Sequence, residues 1–411
     1  MDGYILTIIG VALTQMTTQL DLTTFWSAMV GASALLGLLV GGALFGYITD
    51  LVGRHVMYTL DLIAIFIFSV LQFFVNSGLE LTIIRFLMGV AIGADYPIAT
   101  ALLAEFSPKK HRGRMLGILM SMWYLGALVS YIVAFLLMNL GDSAWRWILA
   151  SSAVPTLILL VMRWGTPESP RWLLSKNRVE EAEDIIKDVY GEEVDLSHET
   201  GKVEKTRFKK MFEGIYLKRT LFIGLFWTFQ VIPTFALYTF APQILGAFGL
   251  KGENTSFISE VVISFFYLIG CIPALLLFNR IGRRPVIIWS FFMMTIGMLI
   301  LGIFPNASIF VVLLGFSIYA FFSGGPSVLD YIYPNELFPT DIRASAVGMG
   351  TAFSRIGSFI GTFLLPYSLT YLGVSATMII MAVLTGIGLI VSIAWAPETK
   401  GKTLAEASGS E

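Results

Sequence analysis

The sequence predicts an all-α membrane protein, with twelve transmembrane helices arranged as two pseudo-symmetric six-helix bundles. Three observations carry that prediction. Of 411 residues, 56% are apolar and only 13% are charged, against about 25% charged in soluble proteins. The apolar residues gather into twelve runs of membrane-spanning character. Three short motifs recur at a near-constant shift of 229 to 231 residues.

The bilayer core has no water to satisfy free backbone groups, so a span is expected to be a helix of about 20 apolar residues. The first run, 1–16, begins at Met1 and reaches only about 24 Å at 1.5 Å per residue. It lacks the basic start and cleavage site of a signal peptide, so the first helix is expected to be truncated. Runs 24–48 and 56–75 follow. The former carries Gly37…Gly41 and Gly42…Gly46, a spacing that lets helices approach closely in lipid. Run 81–105 repeats the spacing in Gly89…Gly93 and sets Arg85 and Asp95 among apolar residues. Runs 114–138, with Trp123, and 145–164 complete the first half.

A charged block then interrupts the chain: residues 166–218 hold 22 of its 55 charged residues. Within it, Val179–Tyr190 reads as an amphipathic helix. Six further runs follow. They are 219–241 (Trp227, Gln230, Tyr238), 256–278, 286–304, 308–334 (Asp330, Tyr331), 344–366 (Arg355, Gly357…Gly361) and 373–396. The expected organisation is a bundle over 1–165, a linker over 166–218, a second bundle over 219–396 and a tail over 397–411. With the linker placed in the cytoplasm, 22 of the 27 Lys and Arg fall on that side. The bias of basic residues toward the cytoplasm then puts both termini inside, in a multi-pass protein of the plasma membrane.

The repeated motifs all fall at the linker end. Asp50-Leu-Val-Gly53-Arg54 is matched by Asn279-Arg-Ile-Gly282-Arg283, and Glu105…Pro108…Arg112 by Glu336…Pro339…Arg343. Pro167-Glu168 is matched by Pro397-Glu398. These acids and arginines, with Arg171, can pair at the helix ends. Exposed pairs are individually weak, about 0–1 kcal/mol, which suits a gate that must open and close. The other reading is plain positive-inside topology with incidental pairing.

Ionisable groups at membrane depth are costly and are functional candidates. Asp2, Asp95 and Asp330 are candidates for proton coupling, since a desolvated carboxylate can load and release a proton near neutral pH. Asp95 could equally be an acid held permanently by Arg85 or Arg355, and Asp2 a wet terminus. Arg355 offers a planar five-donor fork suited to a carboxylate or phosphate, or else pairs structurally with Asp330 or Asp95. Arg85, Trp123, Trp227, Gln230, Tyr238 and Tyr331 join it as candidate substrate-binding residues. Lipid-facing placement is the alternative for the aromatic ones.

Several classes find no support. A net charge of −1 offers nothing to nucleic acid. The single cysteine and three scattered histidines form no ligand pattern, and no metal or cofactor is expected. Nucleophile–base pairs, zinc patterns and phosphate loops are not apparent, which disfavours an enzyme or an ATP-driven pump. A transporter-like sensor is disfavoured by the short tail.

The chain resembles the major facilitator superfamily along its whole length. Gly46, Asp50, Gly53 and Arg54 are similar to that superfamily's loop motif after the second helix. Pro167-Glu168-Ser-Pro-Arg171-Trp-Leu-Leu, Pro397-Glu398-Thr-Lys-Gly and Arg85-Phe-Leu-Met-Gly89 resemble the sugar-porter branch. Gly93-Ala-Asp95-Tyr-Pro resembles the phosphate–proton symporters, where this Asp is linked to proton movement. Organic-acid and phosphate symporters also have an acid at the position of Asp2. Their second acid is Ile5 here, which is where sugar porters place theirs. Organic-anion transporters of the superfamily share an Arg on the eleventh helix. The helix-7 Gln motif of sugar porters is reduced to Gln230, and their helix-5 Gln is replaced within Ser121-Met122-Trp123. The resemblance therefore implies a monomeric, proton-coupled symporter of a small organic anion or related metabolite. A sugar–proton symporter is the alternative.

Overall fold

The computed structural model describes the chain except residues 107–111, 164, 169, 177, 191–207, 251–252, 403 and 410–411. The first half begins with α1 (Asp2–Thr7) and α2 (Ile9–Gln19), which together form the first span. Then come α3 (Thr24–Val52), α4 (Arg54–Leu71), α5 (Gly78–Phe106) and α6 (Arg112–Met138). The pair α7 (Ala144–Ala150) and α8 (Ala153–Met162) form the sixth span. Two short helices follow, α9 (Pro170–Ser175) and α10 (Val179–Tyr190). The second half comprises α11 (Gly214–Ala247), α12 (Glu253–Ile281), α13 (Arg283–Ile303), α14 (Ile309–Leu337), α15 (Thr340–Tyr371) and α16 (Gly373–Trp395). A last turn, α17 (Leu404–Ser408), closes the tail. Among the described residues nine helical segments are long and apolar enough to cross a membrane.

The amphipathic reading of Val179–Tyr190 is realised by α10. Its Ala182, Ile185 and Ile186 pack with Trp172 and Leu173 of α9. Helix α11 starts at Gly214, five residues before the apolar run at 219. Its polar first turns are used: Arg219 Nη1 donates to the carbonyls of Leu337 and Ser408 at 2.6 Å, tying the tail to α14.

Small residues set the closest helix contacts, as their spacing predicts. A Cβ on Gly37 would strike the Phe86 carbonyl, and one on Gly89 the Ala34 carbonyl, so α3 and α5 lie backbone to backbone. Gly357 and Gly361 of α15 face Thr228 and Ile232 of α11. Large apolar side chains such as Leu136, Val161 and Ile390 stand exposed on the outer faces, where lipid is their solvent.

Two glycines are required by backbone shape. Gly53 (φ +113°) and Gly282 (φ +106°) make the turns from α3 to α4 and from α12 to α13. Only glycine adopts this conformation without strain. Their shared place in the sequence repeat is thus a shared turn.

Helix α11 is kinked, with Phe240 non-helical and Pro242 inside it. Proline has no N–H, so the carbonyl of Tyr238, four residues earlier, loses its helical partner. Tyr131 of α6 donates its hydroxyl to that carbonyl at 2.9 Å. The halves also meet through Phe25–Phe363, Phe135–Phe257 and the stacked rings of Tyr124 and Tyr267. These contacts run from mid-depth to the end of the bundle opposite the repeated motifs.

Candidate functional site

Four helices of the two halves line a central, partly open cavity, with about 440 Å³ of open space between its walls. Trp123 and Tyr124 come from α6, and Trp227, Gln230, Thr234 and Phe235 from α11. Ser327, Asp330 and Tyr331 come from α14, and Arg355 from α15. Six of the residues singled out from sequence therefore meet in one place: Trp123, Trp227, Gln230, Asp330, Tyr331 and Arg355. Trp123, Trp227, Gln230 and Arg355 lie near the middle of their helices, and Asp330 and Tyr331 about three quarters along α14; at such depth a polar group must be satisfied by protein or ligand. Gln230 Nε2 donates to Ser327 Oγ at 2.9 Å, and Tyr124 and Ser327 share a hydroxyl–hydroxyl bond of 2.6 Å across the halves. Gln230 Oε1, Asp330 Oδ1 and Trp123 Nε1 are buried and have no hydrogen-bond partner among the described residues. Arg355 is itself buried, with its guanidinium 5.6 Å from the Phe235 ring centre.

Two expected cavity residues lie elsewhere. Arg85 does not line the cavity. It is 1% exposed, seven residues into α5, and its donors go to the Val30 carbonyl at 3.1 Å and to Gln72 Oε1 at 3.4 Å. Its cost of burial is met by joining three segments of one half. Tyr238 lines a second cavity of about 320 Å³ with Tyr131, Tyr267 and Glu260. The Trp123–Tyr238 and Tyr124–Tyr267 ring contacts lie between the two spaces.

A second charged group sits inside the first half. Asp95 of α5 pairs with Arg163, just past α8, at 3.3 Å. Neither Arg85 nor Arg355 holds it. The Arg163 guanidinium also lies 3.2 Å from the ring centre of Tyr58 on α4. Asp61 and Asp2 are within electrostatic reach of both Asp95 and Arg163. Asp2 is also within electrostatic reach of Arg355. Asp61 Oδ2 and Asp2 Oδ1 are buried without a hydrogen-bond partner among the described residues.

At the motif end the repeat is structural. Glu168 Oε2 accepts the backbone N–H of His55 at the start of α4, at 3.0 Å. Glu398, its counterpart, accepts the N–H groups of Arg283 and Arg284 at the start of α13, at 3.0 and 3.2 Å. Each carboxylate thus meets the positive end of a helix. Burial pushes the Glu398 carboxyl up. The N–H donors of Lys400, Arg283, Arg284 and Thr399 outweigh that and hold it below the usual carboxylate range. Arg283 adds a two-pronged bond to Glu336, at 2.7 and 3.2 Å, a geometry particular to Arg and carboxylate. Arg343 donates to the Phe338 carbonyl at 3.2 Å. These described pairs tie helix ends within one half. The side chains of Asp50, Arg54, Glu105, Arg112 and Arg171 lie outside the described part of the structure.

Sequence reasoning passed over Tyr124, Ser327, Glu260 and the pairing of Arg163 with Asp95. Arg163 stands out only as a charge inside a run, and its partner is 68 residues away.

An all-helical membrane fold with a polar cavity between two repeated halves is the architecture of a major facilitator carrier. The chain matches the model of the family described as "Sugar (and other) transporter" over residues 5–409. It belongs to that family and is a multi-pass membrane transporter of a small metabolite. Among its relatives, YaaU of Escherichia coli strain K12 is 47% identical over 408 residues, covering 99% of this chain and 91% of that one. The inner membrane metabolite transport protein YgcS of the same strain is 37% identical, covering 99% and 90%. The partially occluded, inward-open xylose transporter XylE from E. coli superposes with a TM-score of 0.84 at 21% identity, covering 98% and 96%. At that identity the likeness is one of fold.

Proposed function

We propose that this protein is a proton-coupled symporter of a small organic anion in the plasma membrane. The observation that carries the reading is Arg355, a buried guanidinium on the wall of the central cavity. A permanent positive charge there attracts an anion and resists an organic cation. Asp330, on the same wall, sets the coupling: ionised, it competes with the substrate carboxylate for Arg355, and protonated, it releases Arg355. Anion and proton then enter together.

The cluster of Asp2, Asp61, Asp95 and Arg163 supports proton coupling independently. The Arg163 guanidinium and the Met1 amino group are both within electrostatic reach of Asp2 and Asp95, which leaves one of the three carboxylates unbalanced, and carboxylates sharing a site disfavour each other's charge. Such a cluster reaches neutrality by taking up protons. Asp2, within reach of both arginines, carries that change to the cavity.

Alternating access follows from rocking of residues 1–165 against residues 219–396, joined by the 166–218 linker. The motif residues, Gly53, Glu168, Arg283, Glu336, Arg343 and Glu398 among them, keep the ends of each half rigid during that motion. With the motif end and both termini in the cytoplasm, the contacts at the opposite end close the outer face. The monomer suffices for this cycle.

The test is ligand binding by purified protein. Replacing Arg355 with Gln should abolish anion binding while the protein remains folded. Undiminished anion affinity in R355Q would refute the assignment.

A further inference from the structure

Anionic charge is only part of what the cavity can recognise. Three of its buried polar atoms have no hydrogen-bond partner among the described residues: two acceptors, Gln230 Oε1 and Asp330 Oδ1, and one donor, Trp123 Nε1. A buried polar atom without a partner is unfavourable, and a site keeps one where a ligand supplies the bond. A plain carboxylate is an acceptor only, so it would occupy Arg355 and leave both acceptors unmet. A hydroxyl donates once and accepts as well, so two hydroxyls on one ligand can satisfy all three.

The remaining wall is aromatic. Trp227 and Tyr331 meet edge to face at 5.3 Å, and Trp123 and Phe235 at 5.8 Å. Such faces suit the C–H surface of a carbon skeleton whose polar groups point elsewhere.

We infer that the substrate is a polyhydroxylated carboxylate, its carboxylate held by Arg355 and its hydroxyls by Gln230, Asp330 and Trp123. The inference rests on the anion reading of Arg355 and sharpens it. It also accounts for the reduced Gln motif: fewer hydroxyl contacts are needed when one end of the ligand is fixed by charge. Discrimination falls to the unpaired atoms, since a site built to bond a hydroxyl rejects the analogue lacking it far more strongly than shape alone can.

Thermal stabilisation of the full chain in detergent, titrated with three matched probe sets, tests this. The first set is D-gluconate, D-glucuronate and quinate. The second is hexanoate and cyclohexanecarboxylate, which keep the charge and lose the hydroxyls. The third is D-glucose and myo-inositol, which keep hydroxyls and lose the charge. Stabilisation by a member of the first set, at least about tenfold tighter than by the other two, is expected. Gln230→Leu and Trp123→Phe should each weaken that binding by about 5- to 100-fold, with the melting point of the unliganded protein showing that the fold persists. Equal binding of hydroxylated and plain carboxylates, or full affinity in both variants, would overturn the hydroxyl assignment and leave the anion reading standing. Binding of the neutral set alone, or no binding by the first set, would overturn this inference, and the former outcome would also remove the anion reading.

Discussion

Replacing Tyr131 with Phe removes one oxygen and should shift the conformational balance of the whole carrier. That hydroxyl reaches from α6 to the Tyr238 carbonyl at 2.9 Å, a carbonyl that Pro242 cannot serve. Tyr131 is 1% exposed, so bulk solvent does not reach the carbonyl to replace the lost donor while the halves are closed there. Leaving a buried carbonyl unpaired costs about 1–3 kcal/mol. Once that end opens, water reaches the carbonyl and the penalty lapses. The cost therefore falls on one state only. It should lower the ratio of closed to open by a factor of about 5 to 150, because every 1.4 kcal/mol is tenfold. The single cysteine makes the measurement direct. Cys271→Ala frees the chain for spin labels at Leu140 and Leu372, exposed positions on the two halves at that end. The distance distribution should gain a longer component in Y131F. An unchanged distribution would show that the bond does not hold the halves together.

Other consequences are as specific. Glu398 has a lowered carboxyl pKa, so its contribution is present above the ordinary carboxylate range and is lost as pH falls through the native value. The protection of the Arg283 and Arg284 amides, taken relative to the intrinsic exchange rate at each pH, should therefore fall on acidification. In Glu398→Gln that protection should be low already and constant over the same window. Asp95→Asn should abolish accumulation driven by a pH gradient while leaving substrate exchange measurable, and retained accumulation would remove Asp95 from the coupling path. Arg85→Leu should lower the melting temperature, because the buried Gln72 Oε1 loses its donor, at about 1–3 kcal/mol, without changing substrate Kd. Gly89→Ala should destabilise by about 1–3 kcal/mol, because its methyl meets the Ala34 backbone.

Much of the fold was legible because the membrane leaves the chain few options. Long apolar runs, small-residue spacing and the repeated Gly-Arg and Pro-Glu motifs each answer to one physical demand: lipid, close packing or a capped turn. The repeat puts Gly53 and Gly282 at matching positions, and the structure gives both the same turn. The site was legible as a set of costly residues but not as a geometry. Arg355 and Asp330 are conspicuous in any reading, yet nothing in the chain tells Arg355, which faces the cavity, from Arg85, which faces its own bundle. Direction around a helix that is apolar on every side leaves no periodic trace. Tyr131 and Tyr238 could have been paired in part: a proline within a span announces a freed carbonyl four residues earlier. Which side chain answers it depends on the packing of the two halves.

Proton movement on addition of substrate tests the central claim most directly. Proteoliposomes loaded with the pH dye pyranine would be challenged, without any imposed gradient, with D-gluconate, D-glucuronate and quinate, then with D-glucose. The account predicts acidification of the lumen by a hydroxylated anion, none by glucose, and none in Arg355→Gln. Acidification by glucose, with no response to the anions, would contradict it.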